Sequence, residues 1–473
     1  MFSRRITSFI LSFAIALSLF AQGTPKYVFY FIGDGMGVNQ VNGTETYLAA
    51  LEGRIGVKPL LFTSFPAVGL ATTFSATNGV TDSAAAGTAL ASGEKTKNGA
   101  IGVLADQQTP VSSVATWAKD AGAAVGVATS VSVDHATPAA FYAHVGGRDS
   151  YYSIGKHLIQ ADFDFYAGSD FLEPVGNGDL QKEGTLYAQC EDAGYRLARG
   201  AAGFDKKFKK GKKMILFQTE EASQTLRKCL PYAIDRQEGD LTLTKITEAG
   251  LKTLTSQRKD GFFLMVEGGK IDWACHSNDA ATVFHEVIDM DNAIKVAYEF
   301  YKQHPNETLI IVTADHETGG IALGRGPYEL HTDVFQYQKV SVDMYSAHLE
   351  GLIKSLGTAI TWEAVAADLK ANWGFWDKIQ LSERQTARLK RAFDKVVAGK
   401  EKGEQNMYSQ LGGLAAEARN IIHEIALVGW QSGGHSNGYV PVFAIGAGAE
   451  EFVGKYDNTE IPKRIGKVTG WKK

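Results

Sequence analysis

Cysteine is scarce in this sequence: Cys190, Cys229 and Cys275 are the only three in 473 residues, and no two form a CxxC pair. A thiolate metal site of that kind is therefore excluded. Two readings of the thiols stay open: a Cys190–Cys229 pair formed in an oxidising compartment, with Cys275 left odd, or three buried thiols. Charge of one sign is also lacking, since 48 basic residues face 52 acidic ones for a formal net charge of −4. That balance, with no basic stripe, argues against nucleic-acid binding. Past the N-terminus no apolar run approaches the roughly 20 residues that a membrane span takes, so no span is expected in the mature chain. Internal repeats and low-complexity tracts are absent too. The Lys-rich stretch Lys206–Lys213 reads as a solvated turn before a strand.

The N-terminus has the pattern of an export signal: Arg4 and Arg5, then an apolar run from Ile10 to Phe20, then small residues Ala21 and Gly23. A signal peptide over residues 1–23 is expected, with a mature chain beginning between Gln22 and Thr24. The alternative is a retained anchor helix, for which the run is short. No cysteine follows the run, which argues against a lipid anchor. Export to the periplasm is expected, or to the outside of the cell.

Beyond it, Lys26–Ile32 is a dense β-branched and aromatic run ended by Gly33, as in a buried strand. Similar runs lie at Val125–Ala128, Met214–Phe217, Phe262–Val266, Leu309–Val312 and Val440–Ile445. Helical patterns fall between them at Ser112–Asp120, Leu243–Ser256 and Asp279–Tyr301. Alternation of this kind predicts an α/β fold with a mostly parallel sheet flanked by helices. From about Ile321 to Gln431 the pattern turns helical (Leu381–Val397, Glu404–Ala426), which predicts an insertion that leaves the sheet and returns to it.

Polar clusters follow the strands, where such sheets carry their functional groups. Asp34 follows the first strand, Glu267 the Phe262 strand, and Asp315-His316 the Leu309 strand. Asp272 and His276 are four residues apart after Glu267, so a helical turn there points both the same way. Carboxylate oxygen with imidazole nitrogen is a usual zinc set; an Asp N-cap with a surface His is the plainer reading of that segment. Ser83, in Thr81-Asp82-Ser83-Ala84-Ala85, opens a helix of small residues. Its hydroxyl would face unpaired N–H groups and the positive end of the helix dipole, unless Asp82 and Ser83 are merely a cap. His435 stands among glycines before the Val440 strand and is a weaker candidate.

Taken together, GDGMG (33–37), TDSAA (81–85), KTKNGAIGV (95–103), HATPAAFYAHVGGR (135–148), EGGKIDWACH (267–276), TADHETGG (313–320) and GGHSNG (433–438) closely resemble the alkaline phosphatases, in family order. The resemblance implies an alkaline phosphatase-like sandwich over residues 24–473, with the insertion at about 321–431 as a crown-like cap, and a homodimer. It implies hydrolysis of small phosphate monoesters through a phosphoserine at Ser83, with Arg148 holding the phosphate. It assigns one Zn²⁺ to Asp272, His276 and His435, a second Zn²⁺ to Asp34, Asp315 and His316, and one Mg²⁺ to Asp34, Thr137 and Glu267. His135 and Trp273 stand where some members carry Asp and Lys. Both replacements remove oxygen or charge near the third metal, and His135 is read as a neutral residue that reaches it through water. Cys275, although flanked by ligands, is expected to be a packed thiol. A phosphodiesterase or sulfatase of the same superfamily is the alternative, which Thr137, Glu267 and Arg148 disfavour; a non-catalytic exported phosphate- or metal-binding protein would not need the nucleophile.

Overall fold

The aromatic and β-branched run after Lys26 becomes a central strand, buried at every residue past Tyr27. The computed structural model describes residues 23–224, 229–399, 404–405 and 410–472; residues 1–22 of the expected export signal lie outside them. Ten strands make one sheet. In chain order they are β1 (Tyr27–Gly33), β2 (Ala67–Thr72), β3 (Ala124–Thr129), β4 (Phe165–Gly168), β5 (Arg196–Arg199), β6 (Met214–Phe217), β7 (Phe262–Gly268), β8 (Thr308–Ala314), β9 (Val440–Gly446) and β10 (Gly454–Asp457). Across the sheet they lie in the order β10-β2-β9-β8-β1-β7-β3-β4-β6-β5. All run parallel except β9, which is antiparallel to both β2 and β8. Strands β3, β7 and β8 are buried throughout, as expected of parallel strands covered by helices on both faces.

Four strands were not apparent as runs. β2 alternates buried and exposed residues, β4 is only four residues long, β5 begins and ends in Arg, and β10 is half exposed. β2, β5 and β10 lie at or next to an edge of the sheet, where a strand needs little apolar sequence, whereas β4 is fully buried and simply too short to stand out as a run.

The helices that place the site are α1 (Ser83–Ser92) and α2 (Lys270–His276). The long helix expected at Asp279–Tyr301 runs from Ala280 to Gln303, with the Asp279 side chain capping it. Residues 321–431 hold helices at Val342–Leu356 and Trp362–Trp373, then α3 (Glu383–Val397) and α4 (Gly413–Ala426). The helix expected from Glu404 begins only at Gly413. Gly412 is extended, and a Gly-Gly pair is a poor helix interior; Glu404–Gln405 pairs with Gln410–Leu411 instead.

The two ends of this segment are zipped together. Ala322–Leu323 pairs with Val428–Gly429, and Glu317–Thr318 pairs with His435–Ser436. The helical excursion is thus carried on a two-rung stem whose lower rung brings His435 back to β8. All three cysteines are buried free thiols, so the second of the two thiol readings holds. Among the described residues no helix is long and apolar enough to cross a membrane.

Candidate metal centre and nucleophile

Strand register creates the site. Gly33 of β1 is opposite Gly268 of β7 and Ala314 of β8, so Asp34, Glu267 and Asp315 come off neighbouring strand ends together. All three are 0% exposed. Burial, reinforced by the neighbouring carboxylates, holds Asp34 and Asp315 well above the usual carboxylate range. Burial lifts Glu267 to about 7. His316 Nε2 lies 3.3 Å from both Asp34 Oδ1 and Asp315 Oδ2. Burial and the nearby His435 push its imidazole well below its ordinary value, so it supplies no compensating positive charge.

Asp272 and His276 meet as the four-residue helical spacing requires, with Oδ2 3.2 Å from Nε2. His435 joins them from the stem, its Nε2 3.3 Å from His276 Nε2 and 3.7 Å from Asp272 Oδ1. Burial raises the Asp272 carboxyl, but His276, whose own ring Asp272 raises, outweighs burial and leaves the carboxyl well below the usual range.

Each imidazole has its outer nitrogen committed. His276 Nδ1 is 2.6 Å from Gly433 O, and His435 Nδ1 is 2.8 Å from Thr81 O. A carbonyl only accepts, so Nδ1 carries a proton in both rings and Nε2 is the nitrogen turned inward, where on His276 the Asp272 carboxylate favours a second proton in the absence of a cation. Thr318 does the same for His316: its hydroxyl donates to Asp272 Oδ1 at 2.5 Å and accepts from Nδ1 at 3.2 Å.

Three groups of ligand atoms result, each with its atoms within 4.8 Å of one another: Asp272, His276 and His435; Asp34, Asp315 and His316; Asp34, His135 and Glu267. The third includes a ring nitrogen of His135 itself, where a contact through water was expected. Burial, with Arg148 nearby, lowers His135 to about 3, so the ring is neutral. Thr137 lies on the turn after it. Both oxygens of Asp34, both nitrogens of His135, Thr137 Oγ1, Glu267 Oε1 and Asp315 Oδ2 are buried without a hydrogen-bond partner. Buried polar atoms are rarely left so, and here they converge. This donor set fits cations: mixed carboxylate and imidazole in two groups suits zinc, and the oxygen-rich third, with its one imidazole, suits magnesium less completely.

Ser83 is the first residue of α1 and only 2% exposed. Its Oγ lies 3.2 Å from His316 Nε2, against the second group. Asp82 is the helix cap, accepting from Ala85 N at 3.0 Å. The cap and nucleophile readings of this pair are thus compatible: one residue caps and the other faces the second ligand group. The other oxygen of Asp82, Oδ2, accepts from Gly99 N and from Arg148 NH1, each at 3.0 Å, which ties the guanidinium to the turn that carries Ser83. Trp273 packs against His135 with ring centroids 6.1 Å apart. Cys275 is a buried thiol raised well above its ordinary value by burial and belongs to none of the ligand groups among the described residues.

Three residues that shape the site were missed as such. Thr318 sits inside TADHETGG but shows its role only when Asp272 is seen beside it. Asp82 gave no sign of reaching Arg148, 66 positions away. Thr129 hydrogen-bonds Glu267 Oε2 because β3 register sets the two opposite each other; no local signal could have found it.

The sequence model of the family described as alkaline phosphatase matches residues 25–162 and 207–470. Alkaline phosphatase 3 of Bacillus subtilis is 32% identical over 452 residues, covering 94% of this chain and 89% of its own. A cold-active alkaline phosphatase from a psychrophilic Shewanella superimposes with a TM-score of 0.77 at 29% identity, covering 94% of this chain and 99% of its own. A variant of the alkaline phosphatase from the Antarctic bacterium TAB5, with a histidine changed to glutamate and Mg bound in its M3 site, gives 0.64 at 26% identity, covering 96% and 100%.

Proposed function

The chain belongs to the alkaline phosphatase family, a family of metal-using phosphate monoester hydrolases, and from that premise we propose that it works through a phosphoserine at Ser83 with two Zn²⁺ and one Mg²⁺ per chain. The observation that carries this reading is the convergence of ligand atoms on three points, two of them holding bare, buried donors, with the Ser83 hydroxyl beside one of those two. Asp272, His276 and His435 would hold one zinc, and Asp34, Asp315 and His316 the other. Asp34, Thr137 and Glu267 would hold magnesium; the TAB5 variant with Mg in its M3 site has glutamate in place of a histidine, whereas here the neutral His135 beside them offers nitrogen where magnesium prefers oxygen. When bound, these ions offset the buried carboxylates and stabilise the charge on the attacking and leaving oxygens of an in-line displacement.

The protein groups do the rest. Ser83 Oγ, set against the N-terminal N–H groups of α1 where negative charge is favoured, forms the new bond to phosphorus as the bond to the alcohol oxygen breaks. Arg148 grips two phosphate oxygens with its planar fork, a match Lys does not make, and Asp82 orients it. Water then attacks the phosphoserine, releasing inorganic phosphate and restoring Ser83. Export under the signal at residues 1–23, a crown-like cap from residues 321–431 and a homodimer complete the reading.

The test is metal content of the purified protein, with p-nitrophenyl phosphate turnover before and after chelation. About two zinc and one magnesium per chain, with activity lost on chelation and restored by both metals, is expected. Full turnover by metal-free protein would overturn it.

A further inference from the structure

A second concentration of charge lies beside the metal centre, and it is positive. Helices α3 and α4 pack together in the segment above the sheet. Between them and the stem is a cavity of about 660 Å³ lined by Arg325, Arg384, Arg388 and Arg419, with Asn278 and Trp430 on the side of the metals. Arg388 is neutralised by Glu417 and Glu424, each at 2.5 Å. Arg419 donates to Ser277 O at 2.6 Å and to Asn420 Oδ1 at 3.0 Å. Arg325 and Arg384 are exposed, and neither makes an ion pair among the described residues. The potential reaches inward: after burial itself, Arg419 and Arg325 are what hold the His423 imidazole well below its ordinary value.

The ion pairs of Arg388 join α3 to α4, but folding gives no such reason for Arg384. It sits in the first turn of α3, where the helix dipole disfavours a cation. An anion in the cavity would relieve that.

The cavity shares its wall with the catalytic cluster. Asn278, two residues beyond His276, donates to Ser432 O at 2.7 Å, and the next residue, Gly433, fixes His276 through Nδ1. Trp430 lies so close to Gly319 that a side chain there would strike its ring. Residues 431–433 form an exposed ridge between the metals and the arginines.

We propose that this arginine cavity is a second anion subsite, holding the remote phosphate of a substrate whose other phosphate lies at Ser83 and whose linker crosses the 431–433 ridge. The subsite rests on the phosphatase reading for its substrate but not for its affinity. It makes the enzyme selective for bisphosphorylated esters over simple alkyl phosphates.

The test compares the metal-loaded enzyme with its Arg325→Gln/Arg384→Gln double variant, two exposed positions outside the catalytic machinery. Substrates are straight-chain diol bisphosphates of graded length and the monophosphates of the matching alcohols. At the length that spans the ridge, the unmodified enzyme is expected to favour the bisphosphate by about tenfold in kcat/KM, chiefly through KM. The double variant loses that preference while its rate on the monophosphate moves less than about twofold, and added salt weakens the preference in the unmodified enzyme. No preference at any length, or one that survives in the double variant, overturns the proposal. So does a cavity that holds only free inorganic phosphate, which would show as non-competitive phosphate inhibition lost in the variant without any bisphosphate preference. Calorimetric titration with a non-hydrolysable diol bisphosphonate separates the two readings: arginine-dependent binding by a protein that hydrolyses no monoester would sink the phosphoserine mechanism and leave the subsite standing.

Discussion

The sheet end and the helical segment after residue 321 handle charge in opposite ways. At the sheet end, strand register forces three carboxylates together where water cannot reach them, and among the described residues Arg148 offsets them only in part. In the helical segment, arginines gather around an open cavity where solvent screens them and two of the four keep no carboxylate. The first arrangement is an electrostatic debt that only cations can settle; the second is a surface that can wait for an anion. The function of the first is therefore coupled to stability, and that of the second is not.

The sharpest break comes at Ser83. Ser83→Ala removes the nucleophile from a position where alanine is an equally good helix residue. Turnover of p-nitrophenyl phosphate should fall by about 10³-fold or more, with metal content unchanged. A variant that keeps full turnover would sink the phosphoserine route. Next in size is Trp373→Ala. Trp373 is fully buried in the helical segment, its ring packed on Tyr345 and Phe375, so the cost should be about 3–5 kcal/mol. Denaturant unfolding measures that loss. If the two regions are as independent as their charge patterns suggest, metal content at the sheet end should stay unchanged.

In the metal-free protein Glu267 should make stability pH-dependent. Burial raises it to about 7 in the folded chain against an ordinary 4.5, so between those values it holds more proton in the folded state than in the unfolded one. Its contribution is present below the lower value and lost as pH rises through the higher, by about 3 kcal/mol. Melting temperatures of chelated protein should therefore decline across that window relative to those of its Glu267→Gln variant, and a relative rise would contradict the burial of an uncompensated carboxylate. The smallest effect is expected for Thr318→Val, which takes away the hydroxyl that sets the His316 tautomer. Metal affinity should weaken by about 10- to 100-fold, read by competition with a chelator, while the fold persists.

Much of the centre was legible in the sequence because its ligands sit in short segments with fixed local geometry. Asp272 and His276 need only one helical turn to face the same way, and Asp34, Glu267 and Asp315 each follow a run that could only be a buried strand. Ser83 was open to reading as a mere helix cap, and only the family resemblance marked it as the nucleophile. The rest had no local signature. Helix α4 begins at Gly413 and not at Glu404 because a glycine pair interrupts a pattern that otherwise reads as continuous. Strand β9 looks like any other buried run, and its reversal follows from the path by which the chain returns from the helical segment.

By itself, then, the sequence determined which residues carry oxygen, nitrogen and hydroxyl donors and which local elements present them, because helix spacing and strand alternation act over a few residues. Only the tertiary structure decided that Thr129 would meet Glu267, that Thr318 would fix His316, that Asp82 would hold Arg148, and that four arginines would share a wall with the metals. Those contacts join positions far apart in the chain, and only strand register and the packing of the stem bring them within hydrogen-bond reach.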